Sequence, residues 1–240
     1  MRKVFSIALL LIAAMQAKAA YQCNVMPDVD VTISPQSVTL SGAAGEWEIS
    51  PQGEIQRDGK PLTLNATTRE QAQAYQSALR RDLPWINQGA RDRLESSRQV
   101  IDQVIVDNLG KESNVRQRLT KLDKQLRAQM DTVIGQRGES LVFHHQAIKQ
   151  VQNESEQLVQ NALGGVVQDS LNEMGKRGLQ NAGGDSNPLQ AILGNLGGFQ
   201  QSLKEKWSGR EADFKRFGDE VCQRVTAFEA QRKALQAAIK

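Results

Sequence analysis

Two cysteines and two histidines are the residues of this chain best suited to chemistry. Cys23 and Cys222 lie near opposite ends of the sequence and are the only cysteines among its 240 residues. In an oxidising compartment such a pair closes a disulfide, whereas a redox-active pair is usually spaced as Cys-x-x-Cys. The sequence therefore predicts a structural disulfide between Cys23 and Cys222 that joins the two ends of the protein.

His144 and His145 are the only histidines. Their spacing from Leu141 and Ile148 places them in a predicted helix, one near the apolar seam and the other about 100° away. Adjacent helical side chains cannot both point at one metal ion, and no second His or Cys follows at i+4. The pattern favours ordinary packing, with a pH-sensitive contact as the alternative. We predict neither a metal site nor a cofactor.

A catalytic centre is not indicated by any motif in the sequence. Nucleophilic catalysis requires a nucleophile with a positioned base, and neither histidine lies in a local signature such as Gly-x-Ser-x-Gly. A pair of carboxylates for glycoside hydrolysis requires a cleft, which helices that are polar over most of their surface rarely enclose. We therefore predict that the protein is not an enzyme and has no catalytic residues.

The first residues have the pattern of a cleaved export signal. Arg2 and Lys3 precede an apolar run from Val4 to Met15, and Ala17-Lys18-Ala19 resembles a cleavage site. The run of about 12 residues is too short to span a bilayer as a helix. We expect residues 1–19 to be removed as a signal peptide, which leaves a mature protein without a transmembrane anchor.

The mature protein is expected to carry no net charge. The chain has 30 Lys and Arg against 27 Asp and Glu, and Arg2, Lys3 and Lys18 of the predicted leader account for the whole excess of +3. Binding to nucleic acid or to an anionic membrane surface depends on an excess of basic residues on one face. The charge balance therefore predicts no nucleic-acid partner and no polybasic membrane patch.

Residues 21–64 have the pattern of short antiparallel strands. Apolar and polar residues alternate through Val29, Val31 and Ile33 and again in the two following segments, and Asp58-Gly59 is a hairpin signal. Because the open face of such a sheet must be covered, we expect it to pack against helix. The segment is predicted to be an N-terminal β-meander.

Residues 66–240 have the pattern of a long-helix domain. The spacing predicts a helix that ends near Arg81, before Pro84, and a second helix from Pro84 to Leu109. A third helix carries an apolar seam typical of helix-on-helix, coiled-coil-like packing, at Val115, Leu119, Leu122, Leu126 and Val133.

The remainder of this domain is predicted to be helical on both sides of a break. Gly135 and Gly138 bracket a turn, after which a fourth helix is expected to start near Ser140. Residues 175–188 form a glycine-rich break. An apolar stretch then starts at Leu189, and a last helix is expected from about Lys204 to Ala238. The predicted fold class is α+β, mainly α, with the meander packed on a bundle of long antiparallel helices.

Two further features suggest contact surfaces. Gly164-Gly165 and Gly197-Gly198 are double glycines in helical sequence, where each glycine costs about 1 kcal/mol relative to alanine. We expect close packing at these positions, either between bends of one chain or against a partner or lipid chain. Residues Leu141, Val142 and Phe143 are predicted to lie at the exposed tip of a helical hairpin, where they would contact another protein.

Several motifs together resemble a known family. These are Tyr21-Gln22-Cys23, Ser34-Pro35-Gln36, Arg69-Glu70-Gln71-Ala72, Leu83-Pro84-Trp85-Ile86, Arg118-Leu119-Thr120-Lys121-Leu122-Asp123, Asn172-Glu173-Met174-Gly175 and Asn187-Pro188-Leu189-Gln190. They are similar to those of the YggN-like family, bacterial secreted proteins classed as a domain of unknown function. The resemblance spans nearly the whole mature chain and implies the periplasm of a Gram-negative bacterium. The family offers no catalytic or ligand residues to transfer.

The sequence favours a non-enzymatic function. We expect an interaction or scaffold-like protein of the periplasm that presents long amphipathic helices to an envelope client of unknown identity. The alternative is a carrier that binds an apolar small molecule or lipid between the sheet and the glycine-rich helices 161–203. A lined cavity of several hundred Å³ would favour the carrier, and a solid interior with an apolar outer stripe would favour the scaffold.

Overall fold

The computed structural model describes residues 23–181 and 188–239, so the predicted leader lies outside the described residues. Within these residues the chain forms seven strands and four helices. The strands are β1 (Val29–Ile33), β2 (Val38–Gly42), β3 (Gly45–Ile49), β4 (Ile55–Arg57), β5 (Lys60–Pro61), β6 (Ile134–Arg137) and β7 (Ser140–Phe143). The helices are α1 (Ala66–Leu109), α2 (Asn114–Val133), α3 (Ala147–Asn181) and α4 (Pro188–Ala238).

The strands form one antiparallel sheet in the order β5-β4-β3-β2-β1-β7-β6. The alternation predicted for β1 is confirmed, because Val29, Val31 and Ile33 are buried while the residues between them are partly exposed. The predicted turn between β4 and β5 is also present. Asp58 and Gly59 both have positive φ angles, of 50° and 75°, as a tight hairpin with the right-handed strand twist requires.

Strands β6 and β7 correct the prediction of a helix from Ser140. The hairpin turns through Gly138, at φ 59°, and β7 pairs with β1 so that Phe143 lies opposite Val31. Without β7, this side of β1 would be an open sheet edge with unpaired backbone groups. Residues Leu141–Phe143 therefore form a strand paired with β1, although their spacing from Ile148 would also suit a helix.

The core lies between one face of the sheet, the first half of α1 and the end of α4. Tyr75 and Leu79 of α1 and Phe228 and Leu235 of α4 are buried against the strands. Asn65 caps α1 by accepting a hydrogen bond from the backbone N–H of Thr68 at 2.8 Å. The expected covering of the sheet by helices is thus confirmed.

Helix α1 is continuous through Pro84, so the predicted break before this residue is wrong. A proline inside a helix removes one backbone hydrogen bond and costs about 3 kcal/mol. Packing on both sides of the proline offsets this cost. Leu83 is buried in the core, and Trp85 contacts the ring of Phe217 in α4 with centroids 5.3 Å apart.

The helices form two antiparallel pairs, α1 with α4 and α2 with α3, which also contact each other. A small apolar cluster of Ile105, Leu109, Val115 and Leu119 closes the turn between α1 and α2. The glycine-rich segment 175–188 starts within α3, which continues to Asn181, and residues 182–187 lie outside the described residues. This architecture confirms the predicted α+β fold, mainly helical, with an N-terminal meander on long antiparallel helices.

Candidate functional site

The two cysteines form the predicted disulfide. Cys23 precedes β1 and Cys222 lies in α4, with the two sulfurs 2.09 Å and the two Cα atoms 5.4 Å apart. The bond fastens the start of the sheet to the helix that returns to it. Both cysteines are half-buried. The sheet and the adjacent parts of α1 and α4 are thereby joined into a single base, and the rest of the helices extend away from it.

The two histidines converge on Asp30, an arrangement that the sequence did not indicate. They follow β7 rather than lying in a helix, and the Nδ1 atoms of His144 and His145 are 2.9 and 2.5 Å from the two carboxylate oxygens of Asp30. The backbone N–H of His145 also donates to this carboxylate. Burial disfavours the charge of Asp30, yet the hydrogen bonds from both histidines outweigh it and lower the pKa of the carboxyl below its ordinary value.

This cluster fastens β1 to the start of α3, because Asp30 lies on the outer face of β1 and Ala147 begins the helix. Both carboxylate oxygens of Asp30 are already used by the histidines. No group of three or more His, Cys, Asp or Glu side chains suited to a metal ion occurs within the described residues. Asp30 was missed because β-strand alternation shows only that it points away from the core, and not which later residue it meets.

Arginines and aromatic rings join α1 to α4 above the base. The guanidinium of Arg224 lies 4.0 Å from the ring centroid of Trp85 and also pairs with the buried carboxylate of Asp82. The guanidinium of Arg93 lies 4.0 Å from the ring centroid of Phe217. Gly89 makes room for this ring, since a Cβ atom there would lie 2.5 Å from Phe217. These contacts fix the antiparallel register of the two longest helices.

Beyond the apolar cluster at the α1–α2 turn, ion pairs also connect α2 to both of its neighbouring helices. Arg116 and Arg127 bind Asp102 and Glu95 of α1, and Arg118 binds Asp169 of α3. Hydrogen bonds from Arg98 and Gln99, with the nearby charge of Arg127, lower the pKa of Glu95 to about 2. These ion pairs link α2 to α1 on one side and to α3 on the other.

The four glycines predicted to pack closely do not behave alike. A Cβ atom at Gly165 would collide with the guanidinium of Arg118, so this glycine leaves room for the arginine that binds Asp169 of α3. At Gly164 and Gly198 a Cβ atom would meet nothing within 4 Å among the described residues, so close packing at these two stays a prediction. The surroundings of Gly197 lie outside what the structure describes.

Leu141, Val142 and Phe143 do not form an exposed helical tip. They lie in β7, between β1 and β6, and Phe143 is buried in the core with 8% of its surface exposed. The helical periodicity of this segment had suggested a projecting hairpin, whereas the hairpin that forms is part of the sheet. The predicted contact surface at these three residues therefore lacks the exposure on which it depended.

A different part of the molecule projects from the bundle. The backbone N–H of Asn114, at the start of α2, donates to Glu173 at 2.6 Å, and Lys206 lies 3.4 Å from Asp107 near the end of α1. Helix α3 continues beyond Glu173, and α4 starts well before Lys206. We call the helical residues 174–181 and 188–205 the distal arm. They lie beyond the contacts that the described residues make with the α1–α2 turn, at which α1 ends and α2 begins.

The distal arm contains an uncharged helical segment. Pro188–Leu203 has no Asp, Glu, Lys or Arg, whereas charged residues recur every few positions in the rest of α4. At 1.5 Å per residue this segment is about 24 Å long. A helical segment of this length without any charge is typical of a surface that contacts another protein or element. The arm is therefore the candidate contact site.

Two clefts among the described residues are small or polar. One of about 300 Å³ lies at the α1–α2 turn and is lined by charged and polar side chains, among them Arg98, Asp102 and Arg116. Another of about 160 Å³ lies between Leu62–Asn65 and the end of α4. Neither lies between the sheet and helices 161–203. Among the helices of the described residues, none has the length and hydropathy of a membrane span.

The family model described as "Protein of unknown function (DUF2884)" matches residues 23–240. The chain belongs to this family. It is also 48% identical over 240 residues, the whole length of both chains, to the "Uncharacterized protein YggN" of Escherichia coli K12. The proteins of the same name from E. coli O6:H1 and O157:H7 match equally. No solved structure matches the chain. The predicted family resemblance is thus confirmed.

Proposed function

We propose that this protein is a non-enzymatic interaction protein of the bacterial periplasm, in which a disulfide-locked base holds out long helices whose distal arm contacts another envelope protein. The observation that carries the proposal is the arm itself. Two helices continue past the turn at Gly110, and one of them has no charged residue from Pro188 to Leu203.

The length of the helices supports a role in reaching a partner. Helix α1 has 44 residues and α4 has 51, so at 1.5 Å per residue they are about 66 and 76 Å long. The larger apolar core lies near the sheet, and a second, smaller apolar cluster lies at the α1–α2 turn. Helices of this length are longer than the diameter of a compact domain of similar mass, so they place the arm far from the base.

The disulfide supports the proposed compartment. Such bonds persist in oxidising environments and are rare in the cytosol. The bond between Cys23 and Cys222, together with the export pattern of residues 1–19, favours the periplasm.

The carrier alternative has less support. A carrier for an apolar ligand needs a concave, mostly apolar pocket. The two clefts found among the described residues lie at the α1–α2 turn and at the end of α4, away from the position expected for the ligand, and the first is polar. The interaction role is therefore proposed ahead of the carrier.

Site-specific photo-crosslinking in living cells tests the proposal. A photoreactive residue at the exposed position Gln201 of the arm should give a discrete crosslinked product. The same residue at Lys215, which is equally exposed but lies on α4 beside the bundle, is the matched control and should give little or none. Identical products from both positions, or no product from Gln201 in cells that export the folded protein, would refute a contact through the arm.

A further inference from the structure

We propose that Arg232 is a positioning residue for closure of the Cys23–Cys222 disulfide, because it holds Asp28 and so lays the residues between Cys23 and Asp28 along α4. We call residues 23–28 the strap. The inference goes beyond the proposed function, since it concerns the base of the molecule and holds whether or not the distal arm has a partner.

The strap is joined to α4 at both of its ends. Cys23 forms the disulfide with Cys222, and the carboxylate of Asp28 lies 2.6 Å from the guanidinium of Arg232. Between these two points the strap forms neither helix nor strand. No regular backbone ladder therefore aligns the strap with α4, and this role falls to the two attachments.

The spacing of the two attachments agrees on the strap and on the helix. Cys222 and Arg232 are ten residues apart in α4, which is about 15 Å at 1.5 Å per residue. Cys23 and Asp28 are five residues apart, and an extended chain of that length spans about 17 Å. An extended strap attached at Arg232 thus brings Cys23 to the level of Cys222.

Arg232 is suited to this task because its orientation is fixed independently of the strap. Its side chain is 6% exposed, and it donates hydrogen bonds of 2.6 and 3.1 Å to Glu229, which is also buried and lies one turn earlier in the same helix. Two charge-assisted hydrogen bonds hold the guanidinium in one geometry. The side chain of Asp28 is 69% exposed, so it reaches this buried cation from the solvent side at little desolvation cost.

Closure of the disulfide is a two-step exchange with a disulfide-bearing oxidant, for which glutathione disulfide serves in the assay. The thiolate of one cysteine attacks the oxidant and forms a mixed disulfide, and the first glutathione leaves. The thiolate of the other cysteine then attacks the protein sulfur of the mixed disulfide and displaces the second glutathione. The two protein thiols lose two electrons and two protons, which the oxidant takes up as two thiols. Only the second step requires the cysteines to meet, so Arg232 acts on that step.

The rates of the two steps are measured separately in the full-length exported protein after reduction. The reduced proteins are kept folded, with sucrose where necessary, and their helix content is checked by circular dichroism. Asp28→Ala should slow the second step about three- to tenfold, because the strap loses its attachment to Arg232, and should leave the rate of the first step unchanged. Asp28→Glu keeps the charge and should recover most of the rate. Met26→Ala is the matched control, since Met26 is exposed in the same strap.

A further comparison decides whether Asp28 acts through Arg232. In Arg232→Met/Glu229→Gln, which removes both buried charges together, closure should already be slow, and the addition of Asp28→Ala should change little. Equal rates of closure in Asp28→Ala and the wild type would overturn the inference. A full further loss on adding Asp28→Ala to the double variant would do the same, because Asp28 would then act through another group. A slower first step would also contradict it, since that step needs no alignment.

Discussion

Removal of the disulfide is expected to destabilise the protein mainly through its unfolded state. Cys23 and Cys222 are 199 residues apart in sequence, so the bond closes most of the 240-residue chain into a loop. The chain-entropy model gives about 5 kcal/mol for a loop of this size, and native disulfides commonly contribute 2–5 kcal/mol. The double variant Cys23→Ser/Cys222→Ser should therefore lose about 2–5 kcal/mol, a large part of the stability of an ordinary domain.

Urea unfolding followed by far-ultraviolet circular dichroism measures this loss. The midpoint should fall, and the m-value should rise, because an unfolded chain without the crosslink exposes more surface. Reduced wild-type protein should behave like the double variant. Met26→Ser is the matched control, since Met26 is exposed in the same segment and its substitution should leave the free energy of unfolding almost unchanged. A loss below about 1 kcal/mol with an unchanged m-value would refute the loop-closure reasoning.

Two further predictions concern the helices. Gly89→Ala should destabilise the protein by about 1–2 kcal/mol, because the added methyl group would lie 2.5 Å from the ring of Phe217 and overpacking outweighs the gain in helix propensity. Gly209→Ala, at an open position of α4, should instead stabilise by up to about 1 kcal/mol, and equal melting temperatures for the two variants would contradict this account. Acid should loosen the bundle: hydrogen bonds from arginines lower the pKa values of Glu95 and Asp102 in the folded protein, so the unfolded chain takes up protons first and stability falls as the pH decreases. For Glu95 the contribution is complete above pH 4.5 and is lost as the pH falls through about 2, which melting temperatures measured from pH 7 to pH 2 would reveal, and Glu95→Gln should flatten the decline. A melting temperature that stays constant between pH 5 and pH 2 would show that these ion pairs do not support the fold.

Regular local patterns allowed much of the fold to be predicted from the sequence. The alternation at Val29, Val31 and Ile33 and the Asp58-Gly59 turn depend on backbone geometry over a few residues, so they hold whatever the chain meets later. The disulfide was predictable for a different reason. With only two cysteines in the chain, an oxidised intramolecular pair has one connectivity.

Tertiary contacts decided the cases in which local preference was misleading. Pro84 should end a helix, yet α1 continues because Leu83 and Trp85 are held by the core and by α4. Residues 140–143 satisfy a helical spacing, yet they form β7 because β1 offers an unpaired edge. In each case many contacts distant in sequence outweigh a local preference of a few kcal/mol.

The same division applies to the candidate site. The sequence by itself determined which groups were available: two histidines, two double glycines and a helix segment without charge. Only the tertiary structure placed Asp30 between the two histidines. It also placed Gly165 against the guanidinium of Arg118, whereas Gly198 has no neighbour within 4 Å among the described residues. Residue type and spacing fix what a side chain can do, but its neighbours depend on where the chain returns, and that is settled by the packing of the whole molecule.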